Sequence, residues 1–252
     1  MSALPQHWDA ELRAAFSFLT RLPVSIATFT VTLAQASWAF PLVGIVVGLI
    51  GGIAYLIAAS LNLPPLAAAL IAVAATILVT GGLHEDGLAD TADGFGGGRD
   101  RAHKLEIMRD SRIGTYGVLA LIVGVGLRVT ALAQIGGGWH ALGALIAAQA
   151  LARGIVPAAM HYLPPARDDG LGANAGRPEQ NIFLIAAAIG LVIALFGIGL
   201  RPALIAAVAA ASVAAVIGWL AQRQIGGQTG DVLGAIEQGG EIAILLTAAA
   251  WA

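Results

Sequence analysis

Long apolar runs separated by short polar segments dominate the chain from residue 38 to its end. A helix needs about 20 apolar residues to cross a hydrocarbon core of ~30 Å, because each residue advances the helix by ~1.5 Å. Runs close to that length cover residues 38–60, 65–82, 115–135, 140–162, 181–199, 202–221 and 231–251. The pattern predicts an all-α, polytopic membrane bundle with about seven transmembrane helices.

The segment before the first run, residues 1–37, has a different pattern. Leu12, Phe16 and Leu19 follow each other at intervals of four and three residues, with charged residues between them. This spacing predicts a short amphipathic helix over 9–22 that lies at the membrane interface, and an ordinary entry segment is the alternative. The start of the chain lacks the apolar region of a cleaved signal peptide, so we expect no cleavage. The whole chain, 1–252, is expected to form one membrane domain.

Composition supports a membrane location. Hydrophobic residues make up 58% of the chain and charged residues only 11%, whereas soluble domains carry about 25% charged residues. The absence of cysteine excludes disulfide bonds and thiolate metal sites. A net charge of −2 says little about partners, and we expect no nucleic-acid partner. Close helix contacts at glycines leave a homo-oligomer open.

The basic residues outside the apolar runs predict the orientation. One side of the predicted bundle carries Arg13, Arg21, Arg99, Arg101, Lys104, Arg109, Arg112, Arg167, Arg177 and Arg223. The other side carries only Arg201. By the positive-inside rule, we expect the N-terminus and the long polar loops to face the cytosol and the C-terminus to lie outside.

The most unusual polar stretch is "GGLHEDGLADTADGFGGG", residues 81–98. If a helix continues through it to Gly94, then Asp86, Asp90 and Asp93 share one face, because they are spaced i, i+4, i+7. Three aligned carboxylates repel each other, and Mg²⁺ or Mn²⁺ would remove that repulsion. Glu85 lies ~100° away from the shared face and is a weaker candidate ligand. A solvated acidic loop is the alternative.

A second polar cluster precedes the third apolar run. Arg109 and Arg112 flank Asp110 within residues 104–117. The guanidinium group of arginine binds phosphate oxygens in a planar, bidentate way. Asp110 is expected at the same end of the bundle as the acidic stretch, where it could add a metal ligand or act as a base.

Several charged residues fall inside the apolar runs. Arg153 lies about nine residues, or ~14 Å, from the predicted cytosolic end of its helix. A charge at that depth faces the bundle interior unless it is paired elsewhere, so we expect Arg153 to bind a substrate phosphate or an acid such as Glu241. Arg128 is expected to snorkel outward. Glu237 and Glu241 share a face of the last run, which Asp231 begins.

Five segments, in this order on an apolar background, resemble the cobalamin synthase family, the adenosylcobinamide-GDP ribazoletransferases. They are "FLTRLPV" (18–24), "HEDGLADTADG" (84–94), "MRDSRIGTYG" (108–117), "ARGIVPAAMHYLPPARDDGLG" (152–172) and "GGQTGDVLGA" (226–235). The resemblance implies transfer of the adenosylcobinamide-phosphate moiety from adenosylcobinamide-GDP to α-ribazole or α-ribazole 5′-phosphate. The ribose 3′-hydroxyl attacks the phosphate on the corrinoid side chain, and GMP leaves.

The reaction implied by the resemblance assigns an expected role to each of these polar residues. The expected metal ligands are Asp86, Asp90, Asp93 and Glu85. The expected catalytic residues are Asp93, Asp110, Arg109 and Arg112. The expected substrate contacts are His84, Gly94, Arg153, Asp231 and Glu241.

Two other classes of protein stay open. A membrane phosphatidyltransferase of the CDP-alcohol type shares the acid spacing and the need for a metal. A secondary transporter would also carry charges inside the membrane, but its ligands usually lie between internal repeats near the midplane. The acids of this chain cluster instead near one end of the predicted helices, and the sequence shows no internal repeat.

Overall fold

A computed structural model of the chain describes residues 8–24, 31–170 and 175–252. The start of the N-terminal segment and the last two residues of the motif 152–172 lie outside the described residues. The helices are α1 (Trp8–Leu19), α2 (Leu33–Ala36), a 3₁₀ turn (Ser37–Ala39), α3 (Phe40–Ser60), α4 (Pro65–Thr80), α5 (Leu83–Gly97), α6 (Arg101–Ile107), α7 (Thr115–Ile135), α8 (Gly138–Tyr162), α9 (Gln180–Ile198), α10 (Leu200–Gln224) and α11 (Gly230–Ala250).

The predicted all-α membrane bundle is confirmed. Six helical segments are long and apolar enough to cross a bilayer, and the pair α4–α5 would make seven if it counts as one bent span. The first of the six joins α2, the 3₁₀ turn and α3. The predicted N-terminal helix is present as α1, which places Leu19 in the core and leaves Trp8 exposed.

The second apolar run does not continue as one straight helix into the acidic stretch. α4 ends at Thr80, and α5 leaves it at an angle of 91°. Gly81 and Gly82 form the corner with φ of 70° and 71°, a region that residues with a Cβ rarely adopt. The helix therefore breaks at these glycines, but α5 runs past Gly94 and carries Asp86, Asp90 and Asp93 on one helix, as the i, i+4, i+7 spacing requires.

α8 is the central helix of the bundle. Along its apolar length, 72% of the residues are buried inside the protein, against 22% in α9 and in α10. α3 and α9 pack against α8 most extensively, and α11 packs against α5, α8 and α10. This arrangement leaves α9 and α10 mainly facing lipid, as their exposed Leu, Val and Phe side chains indicate.

The polar connections meet at one end of the bundle. The amide of Ala166 donates to the carbonyl of Gln228 at 2.8 Å, so the α8–α9 connection pairs with the segment before α11. Arg101 at the start of α6 donates to the Ala166 carbonyl, also at 2.8 Å. The amide of Arg21 donates to the Val79 carbonyl at the end of α4. Segments far apart in sequence thus surround α5.

Candidate active site

Asp86 and Asp90 on α5 line an open cleft of about 750 Å³. Arg21, Arg109 and Asp110 line the same cleft. Within the described residues, neither Asp86 nor Asp90 forms a hydrogen bond or an ion pair through its carboxylate. Two carboxylates without protein partners therefore face a space that also contains two guanidinium groups.

The first turn of α11 adds a third carboxylate beside this pair. Asp86, Asp93 and Asp231 are the acidic neighbours of Asp90, and Arg167 is its basic neighbour. Asp231 accepts hydrogen bonds from Arg167 Nη2 at 3.3 Å and from Thr229 Oγ1 at 3.1 Å. Asp231, an expected substrate contact, is thus placed next to the acidic face of α5.

Glycine permits this close crossing of α5 and α11. A Cβ on Gly87 would lie 2.8 Å from the Asp231 carbonyl oxygen, and a Cβ on Gly234 would lie 3.3 Å from Gly87 Cα. Any side chain at Gly87 would push the two helices apart. The glycine inside the acidic motif therefore serves helix packing, which brings Asp231 to the site.

Asp93 has a different environment from Asp86 and Asp90. Its carboxylate accepts hydrogen bonds from the amides of Gly114 at 2.7 Å and Gly117 at 2.9 Å. These amides belong to the N-terminus of α7, whose partial positive charge favours a carboxylate there. Asp93 fastens α7 to α5 and is buried. Both carboxylate oxygens of Asp93 thus already accept a hydrogen bond from the protein. Its roles as a metal ligand and a catalytic residue stay predictions.

Glu85 points into the bundle rather than towards the cleft. It pairs with Arg128 Nη1 at 2.9 Å, and the same nitrogen lies 3.2 Å from Glu241. Arg128 is 1% exposed, so the expectation that it snorkels outward is wrong. Two glutamates hold Arg128 inside the protein, which makes burial less costly than exposure to lipid without a partner.

Arg153 faces the bundle interior, as the sequence predicts, and is 1% exposed. Its acidic partner is Glu237. Glu241, the partner that the sequence suggested, pairs with Arg128 instead. Arg153 Nη2 also lies 3.3 Å from His84 Nδ1, and that nitrogen lies 3.6 Å from Glu237. Glu241, an expected substrate contact, is thus part of a buried ion-pair network under α5, while His84 and Arg153 reach the edge of a cavity.

The second polar cluster contributes Asp110 to the cleft. Arg112 donates to both oxygens of Asp110 at 2.6 to 3.1 Å, and this pairing lowers the pKa of the Asp110 carboxyl. A lowered pKa makes Asp110 a poor proton acceptor. Arg109 lines the cleft and pairs with Asp169 of the α8–α9 connection.

Gly94 does not line the cleft. A Cβ there would collide with Met108 and approach the Lys104 carbonyl, so Gly94 packs against α6. Among the residues that the structure describes, no group of three His, Asp or Glu side chains lies close enough to hold a metal by itself. The structure brings Asp86, Asp90, Arg109 and Asp110 together, and places Glu85, Glu241 and Gly94 elsewhere.

Two basic residues of the site were not among the sequence-based candidates. Arg21 lines the cleft from the segment after α1, and Arg167 binds Asp231. Both lie in the motifs "FLTRLPV" and "PPARDDG", but topology alone explains basic residues in such loops. Only the contacts between distant segments distinguish them from the other loop charges.

Comparison with known protein sequences identifies the family of the chain. Residues 11–249 match the sequence model of the cobalamin-5-phosphate synthase family. The chain belongs to this family. A protein of Bradyrhizobium diazoefficiens named adenosylcobinamide-GDP ribazoletransferase is 53% identical to the chain, and the alignment covers 96% of this chain and 94% of that protein.

Further members of the family bear the same name. A Mesorhizobium japonicum protein is 47% identical over 92% of this chain and 89% of its own length. A Brucella abortus protein is 42% identical over 92% of this chain and 93% of its own length. No solved structure matches the chain with significant similarity. Because the family model matches residues 11–249, the match includes the segments that surround the cleft, from α1 to α11.

Proposed function

We propose that the chain transfers the adenosylcobinamide-phosphate moiety from adenosylcobinamide-GDP to α-ribazole or its 5′-phosphate, releasing GMP in a late step of cobalamin synthesis. The relatives carry the name of this activity over almost the whole chain. The observation that carries the proposal is the pair Asp86 and Asp90, which face an open cleft without protein partners beside Arg21 and Arg109. Phosphoryl transfer needs such charge-neutralising groups around a pyrophosphate.

The cleft fits a magnesium or manganese ion. Mg²⁺ usually binds one or two carboxylates and completes its octahedral shell with water and substrate phosphates. Asp86 and Asp90 supply two carboxylates from adjacent turns of α5, and the open cleft leaves room for water and phosphate oxygens. When bound, the ion would withdraw charge from the transferred and leaving phosphates. Arg167 would hold the neighbouring Asp231, in the first turn of α11, in position by its hydrogen bond.

The protein's own residues then orient the substrates. Arg21 and Arg109 line the cleft and are placed to bind oxygens of the pyrophosphate. The 3′-hydroxyl oxygen forms a bond to the phosphorus next to the corrinoid and gives its proton to water in the open cleft, while the bond from that phosphorus to the GMP oxygen breaks and GMP leaves with both electrons of that bond. Asp110 remains ionised beside Arg112 and orders the loop at the cleft edge. Asp93 keeps the start of α7 against α5 during the reaction.

The direct test is an assay of purified protein with adenosylcobinamide-GDP and α-ribazole 5′-phosphate, with and without Mg²⁺. We expect GMP release only when both substrates and the metal are present. CDP-diacylglycerol with an alcohol acceptor is the control for a phosphatidyltransferase, and we expect no CMP from it. Absence of GMP under these conditions would refute the proposed function.

We also propose that the cleft opens to the cytosol of a bacterial inner membrane. Arg21, Arg101 and Arg167 belong to three polar segments that meet at the cleft end of the bundle. Loops rich in basic residues stay on the cytosolic side of a membrane. The chain has no cysteine, so Ser111→Cys at the cleft and Ser60→Cys at the α3–α4 turn are nearly isosteric reporters. A membrane-impermeant thiol reagent should label Ser60→Cys in intact cells and Ser111→Cys only in inverted vesicles. Labelling of Ser111→Cys from outside would reverse the orientation.

A further inference from the structure

A second cavity of about 140 Å³ lies beside the cleft, between α1, α3, α5, α8 and α11. Its wall is mostly apolar and includes Phe18, Phe40, Val156 and Met160. Asp86 lines both this cavity and the open cleft. The candidate metal ligand therefore lies where the polar cleft and a mostly apolar cavity meet.

A reaction between two large substrates needs two binding spaces that converge on the reacting atoms. The open cleft carries arginines and suits the pyrophosphate, as proposed above. The apolar cavity offers a flat, uncharged group a place next to Asp86. The riboside substrate has such a group, because its aromatic base is attached to the same ribose ring as the attacking 3′-hydroxyl.

We propose, on the basis of the proposed function, that this cavity binds the aromatic base of α-ribazole and that its wall decides which bases are accepted. The corrin macrocycle is several times larger than a cavity of about 140 Å³. The apolar side chains Phe18, Phe40, Val156 and Met160 offer no partners to the polar edges of guanine, although His84, Asp86, Arg153 and Asp231 complete the lining. A two-ring base with an apolar edge matches the wall, with its ribose directed to Asp86.

Val156 is the position at which to test this assignment. It is 7% exposed and lines the cavity from α8. Val156→Phe would narrow the cavity and leave room for a smaller ring only, and Val156→Ala would enlarge it. Val208→Phe makes the same change at a side chain that is 68% exposed on the lipid-facing surface of α10, and serves as the matched control.

Two independent measurements test whether the cavity binds the aromatic base. The first is equilibrium binding of α-ribazole to the purified protein, and the second is the KM for ribosides with a one-ring imidazole or a two-ring benzimidazole base. In Val156→Phe we expect the KM for the two-ring riboside to rise by ~10-fold or more, because a pocket discriminates strongly against a group it cannot contain. The KM for the imidazole riboside and for adenosylcobinamide-GDP should change little. Val156→Ala should shift the preference towards bulkier bases, and Val208→Phe should behave as wild type.

Three outcomes overturn the assignment of the base. Wild-type affinity of Val156→Phe for α-ribazole would mean that the cavity does not hold the riboside and leaves a lipid chain as its occupant. A raised KM for adenosylcobinamide-GDP alone would assign the cavity to the other substrate. Equal increases for the one-ring and two-ring bases would indicate a general loss of packing. If wild-type protein releases GMP while any of these results holds, only the base assignment fails, whereas absence of wild-type GMP release refutes the proposed function.

Discussion

Asp93→Asn tests whether the third acid of the motif holds a helix in place or holds the metal. The wild-type carboxylate accepts hydrogen bonds from the amides of Gly114 and Gly117 through different oxygens. Asparagine keeps one acceptor and turns an NH₂ group towards the other amide, so a buried donor loses its partner. That loss costs about 1–3 kcal/mol, and removing the negative charge from the α7 N-terminus adds about 0.3–1 kcal/mol.

The free energy of unfolding of Asp93→Asn should therefore fall by about 1–4 kcal/mol. Asp86→Asn and Asp90→Asn are the matched variants, because their carboxylates have no partner among the described residues. We expect these two variants to keep wild-type thermal stability without Mg²⁺, to lose turnover by orders of magnitude and to need more Mg²⁺ for half-maximal GMP release.

The assay combines thermal unfolding in detergent, followed by tryptophan fluorescence, with a Mg²⁺ titration of GMP release. Asp93→Asn should unfold at a lower temperature and retain the wild-type Mg²⁺ requirement in its remaining activity. Wild-type stability of Asp93→Asn together with a greatly increased Mg²⁺ requirement would refute the capping role and restore Asp93 as a metal ligand. Near-normal turnover of both Asp86→Asn and Asp90→Asn would instead remove the metal site from α5.

Two further predictions concern the packing under and beside the site. Arg128→Met leaves Glu85 and Glu241 buried without their cation, so it should destabilise the protein by about 3–5 kcal/mol, and adding Glu85→Gln and Glu241→Gln should recover most of that loss. Thermal unfolding checks both variants, and no recovery in the triple variant would contradict the ion-pair argument. Gly87→Ala should lower both stability and turnover because its Cβ would lie 2.8 Å from the Asp231 carbonyl oxygen, whereas Gly126→Ala meets no atom within 4 Å and should be neutral. Equal stability of the two alanine variants would show that the α5–α11 crossing tolerates a side chain.

Much of the fold follows from the sequence because a bilayer imposes simple requirements. Lipid offers no hydrogen-bond partners, so apolar runs near 20 residues must become helices. The bounds of α3, α7, α8 and α9 agree with the runs within a few residues for this reason. The i, i+4, i+7 spacing of Asp86, Asp90 and Asp93 likewise follows from helix geometry.

Side-chain partners inside the bundle could not be predicted in the same way. The sequence placed Arg153 in the interior, but Glu237 and Glu241 are one helical turn apart, and either could reach an arginine on a neighbouring helix. The rotation of α7 and α8 about their axes decides that Arg128 takes Glu241 and Arg153 takes Glu237. Spacing within one helix carries no information about that rotation.

The sequence by itself determined the all-helical membrane bundle, the set of motif segments and the family to which their order belongs. The tertiary structure decided which acidic residues line the cleft and which stabilise the packing of helices. The bend of 91° at Gly81 and Gly82 turns α5 away from α4, the α7 N-terminus engages Asp93, and the α11 crossing adds Asp231. Each of these depends on contacts between segments distant in sequence, whereas hydrophobic run lengths and helical spacing depend only on neighbours along the chain.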